Sequence, residues 1–194
     1  IDESIKLDKN YALSYVCRGT LLYAFTKDTI CLADFNKAIK MNPEKSIIYS
    51  NRGLVYLEEH KLDKALKDFN NSIRLEPNNY NGYNYRGLLY YAKEEYAKAL
   101  MDYNTAIQLD SSNWNGFNNR ALVFMKIFDF KHAKEDIDKA FNLDSTNSII
   151  ISNRAWYYAI NNKLDLALQD LNYSIKLWPS NLFAYANRGD VFGM

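Results

Sequence analysis

The chain has 194 residues, 48% of them apolar, with 24 basic and 23 acidic side chains and a net charge of +1. That balance supplies no long-range field to recruit nucleic acid or an anionic membrane surface, and no apolar run approaches the ~20 residues that span a bilayer. Two cysteines, Cys17 and Cys31, are too few for a disulfide-stapled secreted scaffold and point to a reducing, cytoplasmic setting.

Residues 1–11 enter in mid-pattern, as the end of a repeat begun before Ile1, so the chain reads as a fragment of something longer. From there one fixed period, the distance from Arg18 to Arg52, organises the rest. Arg86, Arg120, Arg154 and Arg188 continue at the same interval, and the one other arginine is Arg74. A fixed period of this size marks a solenoid whose units pack on their neighbours. Cutting at the arginine period predicts complete units at 12–45, 46–79, 80–113, 114–147 and 148–181, followed by the first helix of another at 182–194.

Each unit repeats the same pattern in chain order. An aromatic or Ile stands three residues before the arginine (Tyr15, Tyr49, Tyr83, Phe117, Ile151, Tyr185). A small residue follows it (Gly19, Gly53, Gly87, Ala121, Ala155, Gly189), and another large apolar residue lies four beyond it. In the second half, small residues recur at Cys31, Ala65, Ala99, Ala133 and Ala167, and again at Ala38, Ser72, Ala106, Ala140 and Ser174. Spacings of three and four predict two amphipathic helices per unit. Glycine in a helix costs about 1 kcal/mol relative to alanine, so its recurrence beside aromatics predicts a close helix–helix contact. Asn79, Asn113, Asn147 and Asn181 are expected N-caps. Pro43, Pro77 and Pro179 punctuate three unit boundaries, with Ser111 and Ser145 at the corresponding places in two others.

Stretches such as Tyr-Ser-Asn-Arg-Gly-Leu-Val-Tyr (49–56) and Lys-Ala-Leu-Lys-Asp-Phe-Asn-Asn-Ser-Ile-Arg-Leu-Glu-Pro (64–77) resemble the tetratricopeptide repeat (TPR) in an Asn-Arg-Gly variant. The resemblance covers essentially the whole chain. It implies an all-α fold, a right-handed α-solenoid of antiparallel helix pairs forming a single array over 1–194, with five complete repeats and two partial ones. It also implies a non-enzymatic protein-interaction scaffold, with no cofactor.

The acid present in every complete unit is Asp34, Asp68, Asp102, Asp136 or Asp170. It could pair with the arginine before it, in its own unit, or with the one after it, in the next. The second small column resembles the TPR surface on which the next unit packs, and the aspartate shares that side. Inter-unit pairs Asp34–Arg52, Asp68–Arg86, Asp102–Arg120, Asp136–Arg154 and Asp170–Arg188 are therefore expected, as a structural ladder that sets register.

In TPR arrays the free face of the first helix lines the concave groove. Here the column before each arginine reads Cys17, Asn51, Tyr85, Asn119, Asn153 and Asn187. Beside it lie Asn81, Asn84, Asn115, Asn118 and Ser152, with Leu54, Leu88, Tyr91, Leu122, Met125 and Trp156 between. An asparagine amide both donates to and accepts from a peptide backbone, so this column resembles the asparagine ladders of peptide-holding TPR superhelices. The expected ligand is an extended, largely uncharged peptide. Chaperone-binding TPRs clamp an acidic C-terminus with Lys and Arg; the matching positions here are Val16, Thr20, Asn51, Asn81 and Tyr85. That argues against an Hsp70- or Hsp90-type partner.

No catalytic or metal constellation is visible. His60 and His132 lie far apart at helix turns with no ligand at metal spacing, and no glycine-rich phosphate loop exists. Cys31 reads as core and Cys17 as a free thiol. Two alternative roles stand beside the scaffold: the targeting arm of a larger enzyme, and self-association through apolar ends left open at Ile1 and Met194.

Overall fold

The computed structural model describes residues 11–192, so the expected repeat end at 1–11 lies almost wholly outside the described residues. Eleven helices are described: α1 (Ala12–Thr26), α2 (Cys31–Met41), α3 (Ser46–Glu58), α4 (Leu62–Leu75), α5 (Tyr80–Ala92), α6 (Tyr96–Leu109), α7 (Trp114–Lys126), α8 (Phe130–Leu143), α9 (Ser148–Ile160), α10 (Leu164–Leu177) and α11 (Leu182–Phe192). Among the described residues there is no strand, and no helix is long and apolar enough to cross a membrane.

The chain divides into two compact units, Ile1–Glu94 and Glu95–Met194, with the division inside the expected repeat 80–113. In the first, α1 packs on α2 and α3 on α4. Successive helices α2–α3 and α4–α5 touch, and the first helices α1, α3 and α5 contact one another in turn. In the second, α6 packs on α7, α7 on α8, α8 on α9, α9 on α10 and α10 on α11, and the first helices α7, α9 and α11 are again neighbours. Each unit is therefore a stack of helix pairs.

The small residues set the spacing of these pairs. A Cβ on Gly53 would lie 2.5 Å from the ring of Phe69, and one on Gly19 would lie 3.2 Å from that of Phe35. Where alanine replaces the glycine, at Ala121 and Ala155, the facing residue is the aliphatic Ile137 or Leu171. A second close approach joins consecutive repeats: a Cβ on Gly82 would meet Ile73 at 2.8 Å, and one on Gly116 would meet Ile107 at the same distance. Residues of both small columns, from Cys31 and Ala38 to Ala167 and Ser174, are buried. Cys31 is core and Cys17 exposed.

All four expected caps form. The side chains of Asn79, Asn113 and Asn147 accept hydrogen bonds from the amides of Asn81, Asn115 and Ile149, and that of Asn181 accepts from Ala184. The turns within repeats are less legible, because no glycine marks them. His60, Glu94, Phe128 and Asn162, spaced at the repeat interval, adopt left-handed backbone with φ of 56°, 59°, 62° and 57°. The amides of Lys61, Asp129 and Lys163 then reach back to the carbonyls of Tyr56, Phe124 and Tyr158 at 2.8–2.9 Å. This closes the helix end in the manner of a Schellman turn.

Candidate functional site

The arginine column pairs differently from expectation. Nε and Nη2 of Arg18 donate to the two carboxylate oxygens of Asp34 at 2.8 and 2.7 Å. Arg52 does the same to Asp68, Arg120 to Asp136 and Arg154 to Asp170, all at 2.7 Å. The partner is the aspartate of the arginine's own repeat, so the expected pairs Asp34–Arg52, Asp136–Arg154 and Asp170–Arg188 are corrected. The same correction applies to Asp68 and Asp102, expected on the next repeat's Arg86 and Arg120: Asp68 is held by Arg52, and Arg120 holds Asp136.

The reason lies in the contact at the small residue after the arginine, glycine or alanine, which brings the second helix against the first of the same repeat at that point. A bidentate fork then fits without reaching across. The arginine stems pack on aromatics as the spacing implies: the Arg52 guanidinium lies 5.9 Å from the ring centre of Tyr49 and 5.7 Å from that of Tyr56. Burial alone would lower the pKa of Arg52, but hydrogen bonds to Asp68 and its charge outweigh that and raise it. Burial holds Asp136 above the usual carboxylate range against the opposing pull of Arg120.

A link between repeats survives through a residue type that sequence reasoning missed. Nη1 of Arg52 donates to Oδ1 of Asn36 at 2.6 Å, and Arg86, Arg120 and Arg188 donate to Asn70, Asn104 and Asn172 in the same way. Each acceptor stands two residues beyond the preceding repeat's aspartate, which rotates it out of the pair interface and toward the next arginine. The recurrence of asparagine at the repeat spacing was the available signal. Asp138 breaks it. That carboxylate pairs with Lys134, and the Arg154 guanidinium lies 3.6 Å from the ring centre of Phe141.

The expected groove residues separate into distinct environments. In the first unit, Asn51 is half-buried and donates to Oγ1 of Thr20 at 3.3 Å. The half-buried Asn81 makes no side-chain hydrogen bond among the described residues, whereas Asn84 is buried. Tyr85 leans on Phe69 at 6.1 Å, and burial raises its phenol pKa. A pocket of about 210 Å³ lies beside Asn51, and at its edge Glu58 accepts from the Tyr23 hydroxyl and the Lys27 ammonium at 3.0 and 2.9 Å.

In the second unit, Asn118, Asn119 and Asn153 converge. Asn153 Nδ2 donates to Asn118 Oδ1 at 2.9 Å, and Asn118 Nδ2 donates to Asn119 Oδ1 at 3.3 Å. With Leu122, Ile149, Ser152, Trp178 and Asn181 they line a pocket of about 420 Å³. Asn115 and Asn187 stay half-exposed outside it, and Trp156 lies under the Lys126 ammonium. Met125 belongs to the core rather than the groove. Sequence reasoning does not single out Ile149 and Trp178 as lining, although Trp178 visibly interrupts the column Asn42, Glu76, Asp110 and Asp144.

Among the described residues no cluster of His, Cys, Asp and Glu is arranged to hold a metal ion. His132 instead hydrogen-bonds its own helix cap, Asp129, at 2.6 Å.

Stacked helix pairs with a small-residue interface define a helical-repeat solenoid, and its second unit carries an uncharged, amide-lined pocket. Residues 46–79 match the sequence profile of the tetratricopeptide repeat, and residues 87–127 match a second profile described as TPR repeat. The chain is a tetratricopeptide-repeat protein. Its fold is similar to a thermophilic TPR protein of Thermus thermophilus, with TM-score 0.87, 20% identity, and 94% of this chain and 100% of that one covered. It is also similar to YrrB, a TPR protein with an unusual peptide-binding site, with TM-score 0.59, 19% identity and 97% of each chain covered. Similarity to yeast Tom70 has TM-score 0.78 and 22% identity over 99% of this chain and 42% of that one. No curated protein matches the sequence.

Proposed function

We propose that this protein is an interaction scaffold that holds an extended, largely uncharged peptide along the free face of its first helices. The observation that carries the reading is the lining of the second unit's pocket: four asparagines, a serine and three apolar residues, with no charged side chain. Amides in such a wall match the alternating donors and acceptors of a peptide backbone. A carboxylate or ammonium entering it would lose water without gaining a counter-charge. Further support comes from Asn81, Asn115 and Asn187, whose side-chain amides make no hydrogen bond among the described residues.

The test is affinity capture from the source organism, with the captured partner identified by mass spectrometry and then re-measured against variants. Asn115→Ala combined with Asn119→Ala is expected to weaken binding by about tenfold or more while leaving helicity intact, since each lost hydrogen bond contributes about 1 kcal/mol. Undiminished binding would move the site off this face.

A further inference from the structure

We propose that the turn joining α7 to α8 is a lipid-contact tip, which sets Phe128 and Ile127 into the interface of an anionic bilayer while Lys126 and Lys131 meet the lipid phosphates. This contact lies apart from the amide-lined pocket and does not rest on the peptide reading.

Phe128 is 78% exposed and Ile127 is 41% exposed, and the Phe128 ring meets that of Phe130 edge-on at 6.1 Å. At φ 62° Phe128 holds a left-handed slot that His60, Glu94 and Asn162 fill with polar side chains in other repeats. Asparagine tolerates that backbone, whereas a bulky ring there is strained. Neither backbone preference nor burial accounts for phenylalanine at this position. Strain kept at one exposed side chain points to a role outside the fold.

The charges left open around the tip have one sign. Asp129 is held by the His132 ring at 2.6 Å, and Lys134 is paired with Asp138. Lys126 and Lys131 are exposed and form no salt bridge among the described residues. The exposed Glu135 lies further along α8. The corresponding turns at 58–66 and 92–100 carry Glu58, Glu59 and Asp63, and Glu94 and Glu95. The next turn of the same unit, 160–164, adds the exposed Ile160 and Lys163 and no acid.

A protruding ring on a turn lacks the walls that grip one side chain of a protein partner. A fluid bilayer closes around it, while the lysine stems lie along the apolar boundary and their ammonium groups reach phosphate. With a net charge of +1 the chain is not drawn from afar, so the lysines act within about a Debye length, ~10 Å at about 0.1 M salt.

The test is co-sedimentation of the chain with sucrose-loaded vesicles at about 0.1 M salt. One set is phosphatidylcholine alone, and the other holds roughly one third phosphatidylserine. Partition is expected on the mixed vesicles, about fivefold or more above that on phosphatidylcholine. Phe128→Gly relieves the strained backbone, so it is expected to keep the helical signal while weakening partition about tenfold or more. Lys131→Gln is expected to weaken it about fivefold. Phe128→Trp is expected to keep partition and to add an emission that moves to the blue on mixed vesicles.

No partition onto mixed vesicles, equal partition onto phosphatidylcholine, or undiminished partition of Phe128→Gly overturns the proposal. Capture of a protein that Phe128→Gly abolishes, with no vesicle binding by the parent chain, also overturns it and assigns the tip to a protein partner.

Discussion

At the residue scale, the arginine shows how one side chain serves two contacts. Nε and Nη2 hold an aspartate within the repeat, and Nη1 holds an asparagine of the repeat before it, as Arg52 does with Asp68 and Asn36. Lysine has no such fork. Two other residues depart from ordinary chemistry. Phe128 is 78% exposed and sits at φ 62°, where a bulky residue is strained. Phe128→Gly is expected to stabilise the protein by about 1 kcal/mol, read as a higher denaturant midpoint. An unchanged or lower midpoint would mean that the exposed ring contributes more than the strain costs. Tyr23 has its pKa pushed up to about 12 from 10.0, first by burial and then by its hydrogen bond to Glu58. The fold prefers the neutral phenol, so this contribution is fully present below pH 10 and is lost as pH rises from 10 toward about 12. Subtracting the stability of Tyr23→Phe from that of the parent, pH by pH, is expected to leave a decline confined to that interval.

At the element scale, the helix pairs are set by matched sizes across one contact. Glycine faces phenylalanine at Gly19–Phe35 and Gly53–Phe69, whereas alanine occupies the slot where Ile137 or Leu171 is opposite. Gly53→Ala is therefore expected to cost about 1–3 kcal/mol through overpacking, partly offset by about 1 kcal/mol of better helix propensity. Adding Phe69→Leu should recover stability relative to Gly53→Ala alone. Failure of that rescue in a double-mutant cycle would show that the ring is not the obstacle. The caps operate at this scale too. Asn147→Ala removes the acceptor for the Ile149 amide and is expected to cost about 1 kcal/mol, read as a lower denaturant midpoint.

At the scale of the whole molecule, two compact units make stability a sum of local terms rather than one number. Trp114, Trp156 and Trp178 all belong to the second unit, so their fluorescence reports on that unit while circular dichroism reports on both. Arg154→Ala leaves Asp170 buried without its cation, at a cost of about 3–5 kcal/mol. It is expected to bring the fluorescence transition to lower denaturant, ahead of much of the helical loss. Arg52→Ala, through Asp68, is expected to lower helicity early while the fluorescence transition moves less. Equal shifts of both probes in both variants would mean that the units unfold together.

The period, the helices, the caps at Asn79, Asn113, Asn147 and Asn181, and the small-residue contact were legible in the sequence, because each depends on neighbours three or four residues away or on a column recurring once per unit. The asparagines of the second-unit pocket were legible as a column, but their convergence with Ile149 and Trp178 was not. Nor was the left-handed turn at His60, Glu94, Phe128 and Asn162, since no glycine announces it. The tertiary structure decided which carboxylate each arginine holds. Along the sequence, the aspartate of the same repeat and that of the repeat before stand nearly equally far from the arginine. The close contact at the small residue after the arginine, glycine at 53 and alanine at 121 and 155, brings the helix of the same repeat close enough to receive the fork. It also decided which asparagines spend their amides on each other and which face a pocket, because that depends on helices of neighbouring repeats meeting side by side.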